Sequence, residues 1–246
     1  MKNIKSDIKK SIMITKDFYL SESSYKNVIN KVFNNSWQLI TDTKSLDKIK
    51  QYPFYFLSNS INEPMILIKQ NDIKCISNVC THRAHLLVNN NCNKKNIKCK
   101  YHGRTFNLDG SLNHAPGFED LENFPSKEDN LIDFDLLKWE NFIFCGINPI
   151  INLQPIFDDI NKRLPAFKFR ELNYDKNNSQ TFILNAHWAL YCDNYLEGFH
   201  VPFVHKGLNQ DINYDTYETI LLENGVLQIA NSSKKHESID KTDNIY

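Results

Sequence analysis

The chain has 246 residues, 41% of them hydrophobic, enough for one large domain or two smaller ones with a real core. Its 29 Lys and Arg equal its 29 Asp and Glu, so no overall charge draws it to nucleic acid or to an anionic membrane, and neither is expected as a partner. No segment has the length of a membrane span and the first twenty residues lack a continuous apolar stretch, which predicts a cytoplasmic protein whose six cysteines are free thiols or metal ligands rather than a disulfide set.

The N-terminal segment, 1–36, is expected to be helical. Tyr25, Val28, Ile29, Val32 and Phe33 recur at helical spacing behind Ser21, Ser23 and Ser24, predicting an amphipathic helix over about 23–34. From Trp37 the pattern changes to short β-branched and aromatic runs, SWQLI, PFYFL, MILIK, IKCIS and later NFIFCGI. A small antiparallel β domain over 37–150 follows from them, with turns at Asn71-Asp72, 89–96 and Asp109-Gly110 and an irregular stretch over 116–130. In the last part, 151–246, Phe157, Ile160 and Leu164 predict a short helix, QTFILN a strand, and Trp188 to Phe199 a second helix. Asn224-Gly225 between two strand-like runs predicts a tight hairpin, and NSSKKHESIDKTDNIY, poor in apolar residues, is expected to fray.

Two constellations carry chemistry. The first is Cys80-Thr81-His82 followed, after sixteen residues, by Cys99-Lys100-Tyr101-His102-Gly103. Each half offers one thiolate and one imidazole, and a Rieske [2Fe–2S] centre uses two cysteines on one iron and two histidines on the other. A Cys2His2 zinc site draws instead on a Cys pair and a His pair, so the interleaved order argues against zinc. Cys75, Cys92, Cys145, Cys192, His114 and His236 read as ordinary packing residues, and His85 fits no ligand spacing.

The second constellation is Glu197, His200 and His205 in NAHWALYCDNYLEGFHVPFVH. Glu197 and His200 share one face of the predicted helix. Five residues of straight helix would turn His205 about 140° away from His200, so both reach one metal only if the helix breaks, and Pro202 stands where that break is expected. Two histidines and one carboxylate form the facial triad of non-haem Fe(II) oxygenases.

Together, CTHRAH, CKYHGRTFNLDG and DNYLEGFHVPFVH resemble the catalytic α subunits of Rieske non-haem iron oxygenases, the ring-hydroxylating and choline-monooxygenase-like enzymes, over about residues 30–225. The resemblance implies an α+β fold: an antiparallel β Rieske domain followed by part of a helix-grip-like catalytic domain. It implies that Cys80, His82, Cys99 and His102 hold the cluster and that His200 and His205 hold a mononuclear Fe(II). It also implies that Glu197, with Asp193 in reserve, bridges His200 to a cluster histidine, His102, of a neighbouring subunit. Electrons would come from NAD(P)H through a reductase or ferredoxin, the substrates would be O2 and a small organic molecule, and the assembly would be a homo-oligomer, a trimer in the family.

The family's third iron ligand is an Asp far beyond the second histidine, whereas this chain ends 41 residues after His205. Asp211 and Asp215, expected in a loop, and Glu218 and Glu223, expected at the hairpin, do not match that position. The resemblance therefore implies a chain truncated relative to the family. An electron-transfer protein binding only the cluster is the alternative. Ala84, Lys100 and Arg104 stand where the family often has Gly, Pro and Trp; they flank ligands without being ligands.

Overall fold

The computed structural model describes residues 7–233. Two compact units divide the chain: 26–150 with 170–176 form one, and the described parts of 1–25, 151–169 and 177–246 form the other. The units change over at 25/26 and 150/151, where 36/37 and 150/151 were expected, and 170–176 return to the first. The return of 170–176 has a physical cause: the Tyr174 amide donates to Asp42 at 3.0 Å, and Asn141 and Glu140 bond Leu172 and Arg170.

Helices α1 (Lys16–Leu20) and α2 (Glu22–Lys31) open the chain, α2 ending three residues short of the predicted limit in a 3-10 turn at Phe33–Asn35. Strands β1 (Gln38–Asp42), β2 (Gln51–Phe56), β3 (Glu63–Lys69) and β4 (Ile73–Ser77) follow, then the short β5 (Ile97–Lys98), β6 (Thr105–Phe106) and β7 (Leu112–His114), then β8 (Asp133–Trp139) and β9 (Phe142–Gly146). Six of them form an antiparallel sheet in the order β1-β9-β8-β4-β3-β2; β5-β6-β7 form a second sheet, on an excursion between β4 and β8. Pro53 is tolerated in β2 because that strand is an edge.

The run MILI in β3 is fully buried because successive side chains serve two cores. Met65 and Leu67 pack with Leu46, Phe56, Cys75, Ile143 and Cys145, while Ile66 and Ile68 pack under the excursion with Cys80, Cys99, Ile97 and Phe106. The sheet thereby becomes the floor beneath the candidate cluster loops. Strand β8 was not apparent in the sequence, since its charged residues Asp133, Asp135 and Lys138 interrupt the apolar run.

In the other unit, α3 (Gln154–Arg163) begins with Pro155 in its first turn, as the missing amide there costs nothing. Helix α4 (Trp188–Tyr195) is capped by His187, whose Nδ1 accepts from the Ala189 amide at 3.2 Å. Short helices α5 (Val201–Val204) and α6 (Lys206–Asp211) lead into the hairpin β10 (Ile212–Leu222) and β11 (Gly225–Ser232), whose small core is Val201, Ile212 and Ala230 with Tyr214 and Tyr217.

Four expectations need correction here. QTFILN forms no strand among the described residues, and Ile183 is 97% exposed, because no neighbouring strand bonds it. The helix predicted to Phe199 stops at Tyr195, closed by the Leu196 amide on Cys192. The hairpin turns one residue early: Leu222 pairs with Gly225, so Glu223 and Asn224 make the turn and the positive φ expected of Asn-Gly is not used. Asp211 closes α6 and Asp215 lies in β10, not in a loop. The fraying expected of the tail falls, beyond residue 233, outside the described residues.

Candidate metal centres

The two loops bearing Cys80 and Cys99 are built alike. The Cys80 amide donates to the His85 carbonyl (2.9 Å) and the Ala84 amide returns to Cys80 (3.0 Å); the Cys99 amide donates to Arg104 (2.8 Å) and the Gly103 amide returns to Cys99 (3.2 Å). In both, the fourth residue after the cysteine turns left-handed, Ala84 at φ 52° and Gly103 at φ 79°. Two copies of one turn thus present their side chains toward a common space.

The thiols of Cys80 and Cys99 are buried and within hydrogen-bonding reach of each other, and the His82 and His102 rings stand 4.8 Å apart at 61°. Thiols lie inward, whereas His82 is half-buried and His102 exposed. Burial pushes the Cys80 thiol up, and the nearby Cys99 adds to this; the His82 and Arg83 amides, donating to the sulfur, oppose it. Burial, then the charges of Arg104, His102 and Arg83, hold His82 below the usual histidine range, which favours the neutral imidazole a metal needs.

Sequence reasoning treated Arg104 as a flanking departure and passed over Asn78; the structure gives both work. Arg104 is buried, pairs with Asp129 at 3.4 Å, donates to Thr81 Oγ1 at 3.3 Å, and lies over Phe118 and Phe124 at 5.0 and 5.4 Å. It ties one loop to the other and to the 126–129 turn. Buried Asn78 bonds both the amide and the carbonyl of Val88, at 2.8 Å each, and closes the first loop from behind. A long polar side chain after a Gly was the only signal for the first, and nothing local marked the second.

Glu197, His200 and His205 also come together, by a different route from the one predicted. Glu197 lies past the end of α4, so the two share no helical face; its carboxylate meets His200 Nδ1 across a turn and accepts from the Phe199 amide at 2.5 Å. Pro202 does not break a helix: it sits in the first turn of α5, and the break falls earlier, at Leu196. The His200 and His205 rings stand 5.0 Å apart, nearly perpendicular. Burial raises the Glu197 carboxyl, but the His200 ring and the Phe199 amide more than offset this and hold it below the usual carboxylate range. A Cβ at Gly198 would lie 2.4 Å from the Tyr217 ring, so a larger residue there must push that ring or the Glu197 turn aside. Asp193 is engaged elsewhere, by the Tyr19 hydroxyl.

Among the described residues no group of three or more His, Cys, Asp or Glu side chains is placed to hold a single metal ion. Two thiols with two imidazoles suit a binuclear cluster. Two imidazoles with a carboxylate turned onto one of them suit a metal that takes further ligands from elsewhere. No helix among the described residues is long and apolar enough to cross a membrane.

A family model, the Rieske [2Fe–2S] domain, matches residues 36–125. Choline monooxygenase of Amaranthus tricolor is 30% identical over 235 residues, covering 91% of this chain and 52% of that protein. The carnitine monooxygenase oxygenase subunit of Escherichia coli K12 is 28% identical over 231 residues, 90% and 59% of the two chains. Among solved structures, a quaternary ammonium Rieske monooxygenase superposes with a TM-score of 0.74 at 22% identity, over 90% of this chain and 62% of that one. Naphthalene 1,2-dioxygenase from Rhodococcus does so at 0.69 and 17%. The chain spans about half the length of the curated relatives it matches. It carries a Rieske [2Fe–2S] domain and is a relative of the Rieske oxygenase α subunits.

Proposed function

We propose that this chain is the electron-receiving part, with the first two iron ligands, of a Rieske oxygenase acting on a small organic cation. When bound, the cluster relays single electrons and a mononuclear iron activates O2. The carrying observation is the pair of matched loops that gather Cys80, Cys99, His82 and His102. Cys80 and Cys99 serve as the inner thiolates, and His82 and His102, toward solvent, form the edge through which electrons pass.

Glu197 fixes His200 through Nδ1, which leaves Nε2 for iron, and His205 is the second imidazole. Glu197 reaches onward to His102 of a second copy, in a homo-oligomer of the trimeric kind, so that electrons cross between subunits. The third, carboxylate ligand belongs to none of Asp211, Asp215, Glu218 or Glu223. NAD(P)H supplies the electrons through a reductase or ferredoxin.

A cavity of about 680 Å³ beside these histidines is lined by Tyr195, Tyr217 and Glu197. Tyrosine rings at such a cavity suit a quaternary ammonium group, and the relatives named for choline and carnitine support that substrate class.

Iron content and the EPR spectrum of anaerobically reconstituted, dithionite-reduced protein test the reading. About three irons per chain with a Rieske signal is the expected result; two irons indicates the electron carrier, and a colourless zinc protein refutes both. Glu197→Gln should keep the iron and the cluster's reduction yet slow O2-dependent reoxidation roughly ten- to hundredfold, the usual cost of losing a partner to a metal ligand.

A further inference from the structure

The cluster loops lie in a part of the chain with an unusual charge distribution. Between Asp72 and Asp109 there is no acidic residue, whereas the chain average would place about four there. The same stretch holds seven basic ones: Lys74, Arg83, Lys94, Lys95, Lys98, Lys100 and Arg104. Arg104 is buried against Asp129 and Lys74 has Asp109 nearby, which leaves Arg83, Lys94, Lys95, Lys98 and Lys100 exposed and, among the described residues, in no ion pair.

Their placement is not diffuse. Lys98 and Lys100 bracket Cys99, and together with Lys94 they line one concave pocket of about 190 Å³ whose other walls include Gln51, Asn89 and Asn91 and the apolar Leu87 and Val88. No carboxylate lines it. Arg83 follows His82 directly in the other loop, and the exposed Tyr101 packs on His102 with centroids 3.8 Å apart. In a chain of zero net charge, Arg83 beside His82 and Lys100 beside Tyr101 put exposed cations on the two cluster loops themselves, and Lys94 and Lys98 extend the excess along the pocket.

We infer that Lys94, Lys98 and Lys100, with Arg83, form the docking surface for an electron donor whose own redox centre is ringed by carboxylates, one of which enters the lysine pocket. The inference rests on the cluster assignment above and specifies the partner's chemistry. One electron leaves the donor's reduced centre and enters the cluster, with no bond made or broken. Complementary charge of this kind raises association rates by ten- to a thousandfold at low salt and loses that advantage as the ions screen it.

The experiment uses the full, cluster-loaded chain with an acidic plant-type [2Fe–2S] ferredoxin as probe donor and methyl viologen radical cation as a donor indifferent to carboxylate docking. Stopped-flow bleaching of the cluster gives the rate of reduction, and calorimetry with oxidised ferredoxin gives Kd. For Lys94→Glu/Lys98→Glu/Lys100→Glu, ferredoxin reduction should fall at least tenfold at low ionic strength and Kd should rise as much, both differences closing near 0.5 M salt. Viologen reduction should be unchanged or faster. The neutral triple, Lys94→Gln/Lys98→Gln/Lys100→Gln, should fall between wild type and reversal, and it stands in should the reversal fail to fold. Equal ferredoxin rates and affinities in wild type and either triple overturn the docking surface. So does a pocket that binds inorganic phosphate while ferredoxin ignores it. Absence of the Rieske spectrum overturns the cluster assignment itself, so the two failures are distinct.

Discussion

Replacing Ala84 by glycine should stabilise the protein, although it deletes a methyl group and touches no partner. Ala84 holds φ at 52°, where a Cβ costs about 1–2 kcal/mol. Glycine removes that cost but loses about 0.4–1 kcal/mol through the freer unfolded chain. The exposed methyl buries little, so the net gain is about 0.5–1 kcal/mol, or roughly 1–4 °C in Tm for a chain of this size. The matched position in the other loop gives the reverse experiment. Gly103→Ala takes on the strain at φ 79° and sets a Cβ 3.2 Å from Pro116 Cγ, for a loss of about 1–3 kcal/mol. Anaerobic thermal unfolding of the cluster-loaded proteins, followed by circular dichroism and by the cluster's visible band, reads both changes. A lower Tm for Ala84→Gly, or no loss for Gly103→Ala, would refute the equivalence of the two turns.

Arg104→Met keeps the bulk but removes the link to Asp129 and Thr81 and the charge over Phe118 and Phe124. Thermal unfolding should show a loss of about 2–4 kcal/mol, and redox titration a lower cluster potential, since a nearby positive charge is gone. Gly198→Ala should displace Tyr217 or the Glu197 turn at about 1–3 kcal/mol and weaken Fe(II) binding at His200 and His205 without affecting the cluster, as iron titration monitored at both sites will register. Burial raises the Asp42 carboxyl, but hydrogen bonds from Tyr174, Ser45 and Lys44 hold it below its ordinary value. A depressed folded pKa stabilises above the unfolded value, near 4, and the benefit is lost as pH falls through the folded value. The urea midpoint should therefore be level from pH 7 to 5 and fall below about 4, less steeply in Asp42→Asn.

The Cys-His motif was legible because its four residues lie on two short local turns, and a local turn is written in contiguous residues. The β3 run was legible for a similar reason, since burial on both faces leaves no polar position. What escaped the sequence depended on partners far along the chain. QTFILN has the composition of a strand but no strand bonds to it among the described residues. β8 forms despite its charges because β4 and β9 flank it. The Glu197–His200 pair was anticipated but through helical spacing, whereas a turn after Tyr195 makes the contact. Asn78 and Arg104 act only through residues brought in by tertiary folding.

The excursion that carries the cluster loops leaves the six-stranded sheet at Ser77 and rejoins it at Asp133, and its two ends are joined by the Ser77 amide on the Ile132 carbonyl at 2.8 Å. Residues 78–132 are thus an insertion at one seam of the sheet, stitched to the edge strand β2 by the Gln51–Cys92 backbone pair and seated on Ile66, Ile68 and Ile76 of β3 and β4. A change within the insertion is therefore transmitted to the sheet through β2, β3 and β4, the strands that bear it.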